Sequence, residues 1–363
     1  MQHHVLRPIT APFFFKSFSR TNSLARPYRQ LESLRRNPIA LLQNYAELSK
    51  SRLTLLMVLT TMSGFAISPL PATVPVLLST ALGTALCSAS ANTLNQLQEI
   101  PFDAQMARTR NRPLVRRSIT PLHAAGFALV TGVAGPAILW GMTNPTTAIL
   151  GASNILLYSG LYTWMKRRTI WNTWVGSIVG AIPPVMGWTA CGGQLMPATW
   201  NLSLPPFLSS LPVEMVDSAL APLALFMLLF SWQFPHFCPL SHLVRASYAQ
   251  AGYQMLAVTN PRKNALVALR HAVLLFPICS VLIPLAGLTT WTFALTSLIP
   301  NIIWTHATWR FWKVNGDKEA RVAFRHGLWW LPVILALMMV HKKGINWSQW
   351  LGFQDAEEEE DNL

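Results

Sequence analysis

Nine long apolar segments, joined by loops whose basic residues fall on every second connection, constrain this chain more than any other feature of its sequence. The segments cover residues 53–70, 74–96, 121–140, 146–164, 172–190, 219–237, 266–285, 287–309 and 326–340. Each approaches the roughly 20 residues that an α-helix needs to cross a hydrocarbon core. The seventh and eighth are the least sharply divided, split only by 286–290, which overlaps the start of the eighth. Of the 28 Lys and Arg residues, 26 precede the first segment or lie in or beside the loops after the second, fourth, sixth and eighth. The four alternate loops hold none. A wrong segmentation would scramble this alternation, which is what the preference of basic loops for one side of a membrane produces. The pattern therefore predicts an all-α, polytopic membrane protein with nine transmembrane helices.

Composition agrees. Hydrophobic residues make up 52% of the chain and charged residues 12%, against about 25% charged in soluble domains. The formal net charge of +14 would otherwise suggest a nucleic-acid partner. Here it sits in the loops of one side, so a lipid bilayer is expected as the partner and no nucleic acid. Residues 1–36 hold seven Lys/Arg and a single acidic residue, Glu32, the make-up of a mitochondrial transit peptide; a basic tail at an anionic membrane surface would share it. With a presequence, the basic loops and the N-terminus face the matrix of a mitochondrial inner-membrane protein. The expected division is 1–44 as transit peptide and basic N-terminal segment, 45–341 as membrane domain and 342–363 as acidic tail. The four cysteines lack metal-binding spacing and are expected as free, small apolar residues. Most of the 15 Trp lie near segment ends and are expected as interface anchors, with Trp188 or Trp232 as candidates to line an internal cavity.

The chemistry is concentrated after the second segment. Asn95, Glu99 and Asp103 recur every four residues and so share one face of a helix. Pro101 removes one helical hydrogen bond and predicts a kink or an end nearby, with Asp103 on the first residues of a loop. Two carboxylates and an amide oxygen at a membrane boundary require a partner. Hard oxygen ligands suit Mg²⁺, which commonly binds through one or two carboxylates plus substrate phosphate. Arg108, Arg110 and Arg112 follow within a few residues, and guanidinium forks pair with phosphate oxygens. Carboxylates for a metal followed by arginines for phosphate make a diphosphate site.

At these residues the sequence resembles a known family. Asn95-x3-Glu99-x3-Asp103 followed by Arg108-Thr-Arg-Asn-Arg-Pro113 looks like the first metal-diphosphate motif of intramembrane UbiA-type prenyltransferases, and of their haem-farnesylating mitochondrial branch in particular. The likeness extends through Tyr45-Ala-Glu-Leu-Ser-Lys-Ser-Arg-Leu-Thr54, Tyr162-Thr-Trp-Met-Lys-Arg167, Gly180-Ala-Ile-Pro-Pro184, Ser231-Trp-Gln-Phe-Pro-His-Phe237 and Gly252-Tyr-Gln-Met255. It covers roughly residues 45–340. The resemblance implies helices around a central cavity, Mg²⁺ dependence, and transfer of a farnesyl group from farnesyl diphosphate to a vinyl group of haem b, giving haem O on the route to haem A. It implies Asn95, Glu99 and Asp103 as catalytic metal ligands and Arg108, Arg110, Arg112, Lys166 and Arg167 as diphosphate contacts. It also points to a downstream haem A synthase as a partner. His236, of the commonest haem-ligating type, is the candidate haem contact.

One departure stands out. The family carries a second acidic pair where this chain has Ala246 and Ser247, and a Ser hydroxyl supplies no charge to a metal. A catalytically impaired relative that binds haem as an assembly partner would account for this. A prenyltransferase acting on a quinone precursor, or a transporter of anionic lipid, would also place carboxylates and arginines at a membrane face.

Overall fold

The computed structural model describes residues 38–195 and 220–344. Among them the secondary structure is helical, apart from one isolated bridge between Thr289 and Lys342. The helices are α1 (Pro38–Leu48), α2 (Ser51–Ile67), α3 (Val74–Asp103), α4 (Pro121–Met142), α5 (Pro145–Leu156), α6 (Asn172–Ala190), α7 (Leu220–Leu243), α8 (Arg245–Gln250), α9 (Leu256–Thr259), α10 (Pro261–Pro277), α11 (Thr292–Thr296), α12 (Leu298–Val314) and α13 (Asp317–Val340). Two run on through π-helical turns: α5 through Leu157–Tyr162 and α10 through Ile278–Leu282. Several starts follow from local chemistry. Thr120 caps His123 N, Asn144 caps Thr147 N and Asn260 caps Lys263 N, each followed at once by proline, whose missing N–H costs nothing at a helix start.

Five helices are long and apolar enough to cross a membrane by length and composition: Val74–Asp103, Pro121–Met142, Leu220–Leu243, Pro261–Leu285 and Asp317–Val340. Each coincides with one of the expected segments. Helices also occupy most of the other four, with 287–291 of the eighth forming a turn and the bridge, while the count of nine spans stays an expectation. The described helices begin inside the expected N-terminal segment. Residues 38–44, assigned above to the N-terminal segment, are helical, with Asn44 buried and its Oδ1 accepting from Arg116 Nη2 and Ser118 Oγ. At the other end, Lys342 donates to the carbonyls of Ala66 and Ser68. The remainder of the expected presequence and acidic tail lies outside the described residues.

The helices pack through small residues where no Cβ can be admitted, as expected where lipid offers no hydrophobic contrast. A Cβ on Gly187 of α6 would sit 1.9 Å from the carbonyl oxygen of Thr61 on α2, and one on Gly64 equally close to that of Pro184. We expect Gly187→Ala to lower the stability of the purified protein by about 1–3 kcal/mol, because the obstacle is backbone and has to be pushed aside. Gly141→Ala, with nothing within 4 Å, should not. A thermal unfolding comparison of the two variants checks this; equal midpoints would show that the α2–α6 contact yields freely. Trp140, Trp164, Trp171, Trp291 and Trp309 are exposed, as anchors would be, while Trp188, Trp304 and Trp330 are fully buried. Trp304 Nε1 donates to Ala323 O and Trp330 Nε1 to Asn301 Oδ1, so these indoles hold the core instead of marking an interface. All four cysteines are free, and Cys87, Cys238 and Cys279 are buried.

Candidate active site

The last two turns of α3 carry the site. The helix runs through Pro101 and ends at Asp103, near the proline as expected, with Asp103 as its last helical residue rather than the first of a loop. Only one backbone bond is lost to the ring, and the residues on both sides are held by side chains. Asn95, Glu99 and Asp103 are all buried on one face. The turn between α1 and α2 is tied to α3 beside them: Gln96 Nε2 donates to the carbonyls of Glu47 (3.1 Å) and Leu48 (2.8 Å), and Asn92 Nδ2 to that of Ser49 (3.2 Å). This fixes Lys50 in the left-handed region (φ 48°), a conformation that lysine adopts only when its surroundings impose it.

Three cations meet this face. Lys50 Nζ donates to Asn95 Oδ1 at 3.0 Å and to the Tyr158 hydroxyl at 3.2 Å. Lys166 Nζ donates to Glu99 Oε1 at 2.7 Å. Arg112 Nη1 donates to Asp103 Oδ2 and lies 3.9 Å from Glu99 Oε2, so one guanidinium spans both carboxylates. Asn95 Nδ2 completes the set by donating to Thr163 Oγ1 at 3.0 Å. The other oxygen of Asp103, Oδ1, is buried without a hydrogen-bond partner. Desolvation, reinforced by Arg112 and Lys166, drives the Lys50 ammonium well below the usual lysine range, against the pull of Glu99 and Asp103. Burial opposes charge on Lys166 too, but Glu99 outweighs it and holds that ammonium above its usual range.

The far side of the site is closed by the second half of the chain. Gln254 N donates to Lys166 O at 2.8 Å, and Asn172 Nδ2 to Gln254 O at 3.1 Å. The adjacent Tyr253 packs against Phe102 and lies with its ring 6.0 Å from Lys166 Nζ. Its hydroxyl is buried without a hydrogen-bond partner. Burial, with the Glu99 and Asp103 carboxylates, raises the phenol above its usual range, so it stays a protonated donor. Next to the charged face, a cavity of about 180 Å³ opens between α2, α3, α5, α6 and α7. Asn92 and Tyr158 line its charged end, and Met57, Cys87, Val179 and Met186 give it apolar walls.

The profile of the UbiA prenyltransferase family matches residues 57–331. The chain belongs to this family. Among named relatives, it is similar to the mitochondrial protoheme IX farnesyltransferase of Eremothecium gossypii, 41% identical over 94% of this chain and 77% of that one. It is similar also to that of Yarrowia lipolytica (44% over 87% of this chain and 64% of that one) and of Homo sapiens (44% over 82% and 62%); the chain thus spans under two thirds of the length of those two. Solved UbiA-fold structures superpose on it. One is of a digeranylgeranylglyceryl phosphate synthase, with TM-score 0.66 at 15% identity over 83% of this chain and 98% of that one. Another is a UbiA homologue from Archaeoglobus fulgidus bound to DMAPP and Mg²⁺, with TM-score 0.54 at 13% identity over 80% and 99%. These confirm the UbiA fold.

Not every expected residue reaches the site. Arg108 and Arg110 are exposed on the turn beyond α3, and of the three arginines Arg112 alone bridges the carboxylates. Arg167 lies over the Phe102 ring at 4.2 Å rather than toward Glu99. His236 stacks on Trp232 and packs near Phe324 and Gly327 between α7 and α13, and neither it nor Trp188 or Trp232 is among the residues lining the cavity. Beside the missing acids, Arg245 pairs with Asp317 at 2.8 Å. Among the described residues no group of three or more His, Cys, Asp and Glu side chains is placed to hold a metal, which leaves Glu99 and Asp103 with the neutral Asn95. Lys50, Thr163 and Tyr253 lie in stretches that carry the family resemblance but had no expected role, and Tyr158 lies in none of them; the structure brings all four to the site. Tyr158 sits on the π-helical turn of α5, a feature frequent at functional sites, but nothing in its sequence neighbourhood marks it.

Proposed function

We propose that this chain transfers a farnesyl group from farnesyl diphosphate to a vinyl group of haem b, producing haem O in the mitochondrial inner membrane with its basic loops toward the matrix. The observation that carries this reading is the pair of buried carboxylates bracketed by Lys50, Arg112 and Lys166, with Tyr158 joining Lys50 to an apolar cavity alongside. The acceptor is assigned from the names of the relatives, which disfavour a quinone precursor and an impaired assembly factor alike. A downstream haem A synthase as consumer of the product belongs to the same proposal.

The donor set suits a hard cation. Asp103 Oδ1 is a buried carboxylate oxygen without a partner, and the single guanidinium spanning Glu99 and Asp103 supports their being close enough to share one charge. Mg²⁺ held by Asn95, Glu99 and Asp103 would stabilise charge on the departing diphosphate. Arg112, Lys50 and Lys166 then exchange carboxylate and amide partners for diphosphate oxygens, placing positive charge where negative charge develops as the C–O bond breaks. Arg108, Arg110 and Arg167, exposed at the rim, draw the anionic substrate in from solution. Tyr253 offers a neutral donor to the same oxygens. The apolar walls keep bulk water from the allylic cation until the vinyl group reaches it. His236, with Nδ1 buried and unpartnered, stays the candidate haem contact.

The test is direct. Full-length protein, haem b, farnesyl diphosphate and Mg²⁺, with products separated by mass, should yield haem O, and chelation of the metal should stop the reaction. No haem O under conditions where a relative with both acidic motifs works would overturn the reading and favour the impaired relative.

A further inference from the structure

The cavity is not uniformly apolar. Asn154 of α5 lines it, and Asn154 Oδ1 is buried with no hydrogen-bond partner. Gln233 of α7 lines it from the other side of α6. Its Nε2 is taken up by the carbonyls of Ser177 (2.8 Å) and Leu229 (3.0 Å). Its Oε1 is left against Gly180, where a Cβ would fall 2.2 Å away, so glycine at that position is what admits the amide. An unpaired amide at the depth of a membrane-spanning helix is costly. It persists where something polar visits it, and a buried water needs such groups.

The reaction proposed above has one step that none of the residues described so far serves. The C1–O bond of farnesyl diphosphate breaks and the diphosphate leaves with the electron pair. The vinyl π pair then forms a bond to C1, which leaves a cation on the vinyl carbon next to the porphyrin ring. That cation either loses a proton to give an alkene or is captured by water to give the hydroxylated side chain of haem O. In the second case a lone pair of the water oxygen forms the new C–O bond, and the released proton passes to the departed diphosphate. An enzyme that excludes water from its first cation has to deliver a single water to the second.

We propose that Asn154, assisted by Gln233, positions that water, and that this amide decides whether the product is hydrated or eliminated. The inference rests on the prenyl-transfer reading. Asn154 is a positioning residue one helical turn from Tyr158 and outside the carboxylate cluster, and its removal changes which product forms more than how fast substrate ionises.

The experiment uses the full chain reconstituted with haem b, farnesyl diphosphate and Mg²⁺ in isotopically labelled water, with both products resolved by mass. Wild-type protein should give the hydrated product carrying one labelled oxygen. Asn154→Leu should lower the ratio of hydrated to eliminated product by about tenfold, the weight of one hydrogen bond to the reacting water, and Asn154→Asp, which keeps an acceptor, should lower it less. Should the leucine variant fail to purify, Asn154→Ala is read in the same way. An unchanged ratio, or equal loss of both products, overturns the role of Asn154, as does elimination by the wild type. No product of either kind from the wild type strikes instead at the prenyl-transfer reading.

Discussion

Glu99→Gln should reduce farnesyl transfer by about 10²–10³-fold, the usual cost of removing one preorganised charge-stabilising group at a reacting centre. The variant keeps the shape of the side chain and an oxygen for Lys166, which at 2.7 Å is its direct partner, so the fold should survive. Two explanations for the loss can be separated. If Glu99 serves only to neutralise Lys166, raising Mg²⁺ leaves the rate of Glu99→Gln unchanged. If Glu99 holds the metal, higher Mg²⁺ partly rescues Glu99→Gln and its apparent Mg²⁺ requirement rises. Rates of haem O formation across a Mg²⁺ series decide this. Full activity in the single variant would remove the metal assignment.

Arg112 should prove nearly as sensitive. Its guanidinium spans Asp103 and Glu99, and lysine, a point charge, cannot hold both carboxylates and then turn to a diphosphate. Arg112→Lys is expected to keep the thermal midpoint within a few degrees while kcat/KM for farnesyl diphosphate falls about 10²-fold. Arg112→Gln should cost both: Asp103, 1% exposed, would lose its counter-charge, and removing one partner of a buried pair typically costs about 3–5 kcal/mol. Wild-type turnover by Arg112→Lys would show that bridging is unnecessary.

Much of this site could be read along the chain, because a helix converts spacing into direction. Asn95, Glu99 and Asp103 at intervals of four had to share a face, and they do. The end expected near Pro101 falls at Asp103, and that terminus is anchored by side chains: Thr109 Oγ1 donates to Asp103 O, and Arg112 holds the Asp103 carboxylate. The arginines were legible as a group and not individually. A turn fans its side chains apart, so composition could not say that Arg112 would face inward while Arg108 and Arg110 stayed exposed. His236 shows the same limit, for a histidine inside an apolar run can pack on aromatic neighbours as readily as face a ligand.

The sequence by itself determined the helical class, the expected membrane segments, the alternation of charge between successive loops and the location of the carboxylates. These depend on hydropathy, on loop charge and on helical period, each a property of neighbours along the chain. Only the tertiary structure decided what surrounds the carboxylates. Lys50 meets Asn95 from 45 residues away and Tyr158 from 108, Lys166 meets Glu99 from 67, and Tyr253 closes the site from the other half of the bundle. Such contacts are set by how helices cross, through glycines such as Gly64 and Gly187 that admit a neighbouring backbone, and no local periodicity encodes a crossing. The unpaired Asn154 amide oxygen belongs to the same class: along the chain it is one polar residue in an apolar segment, and only the packing of α5 against α3 and α6 places it in a cavity.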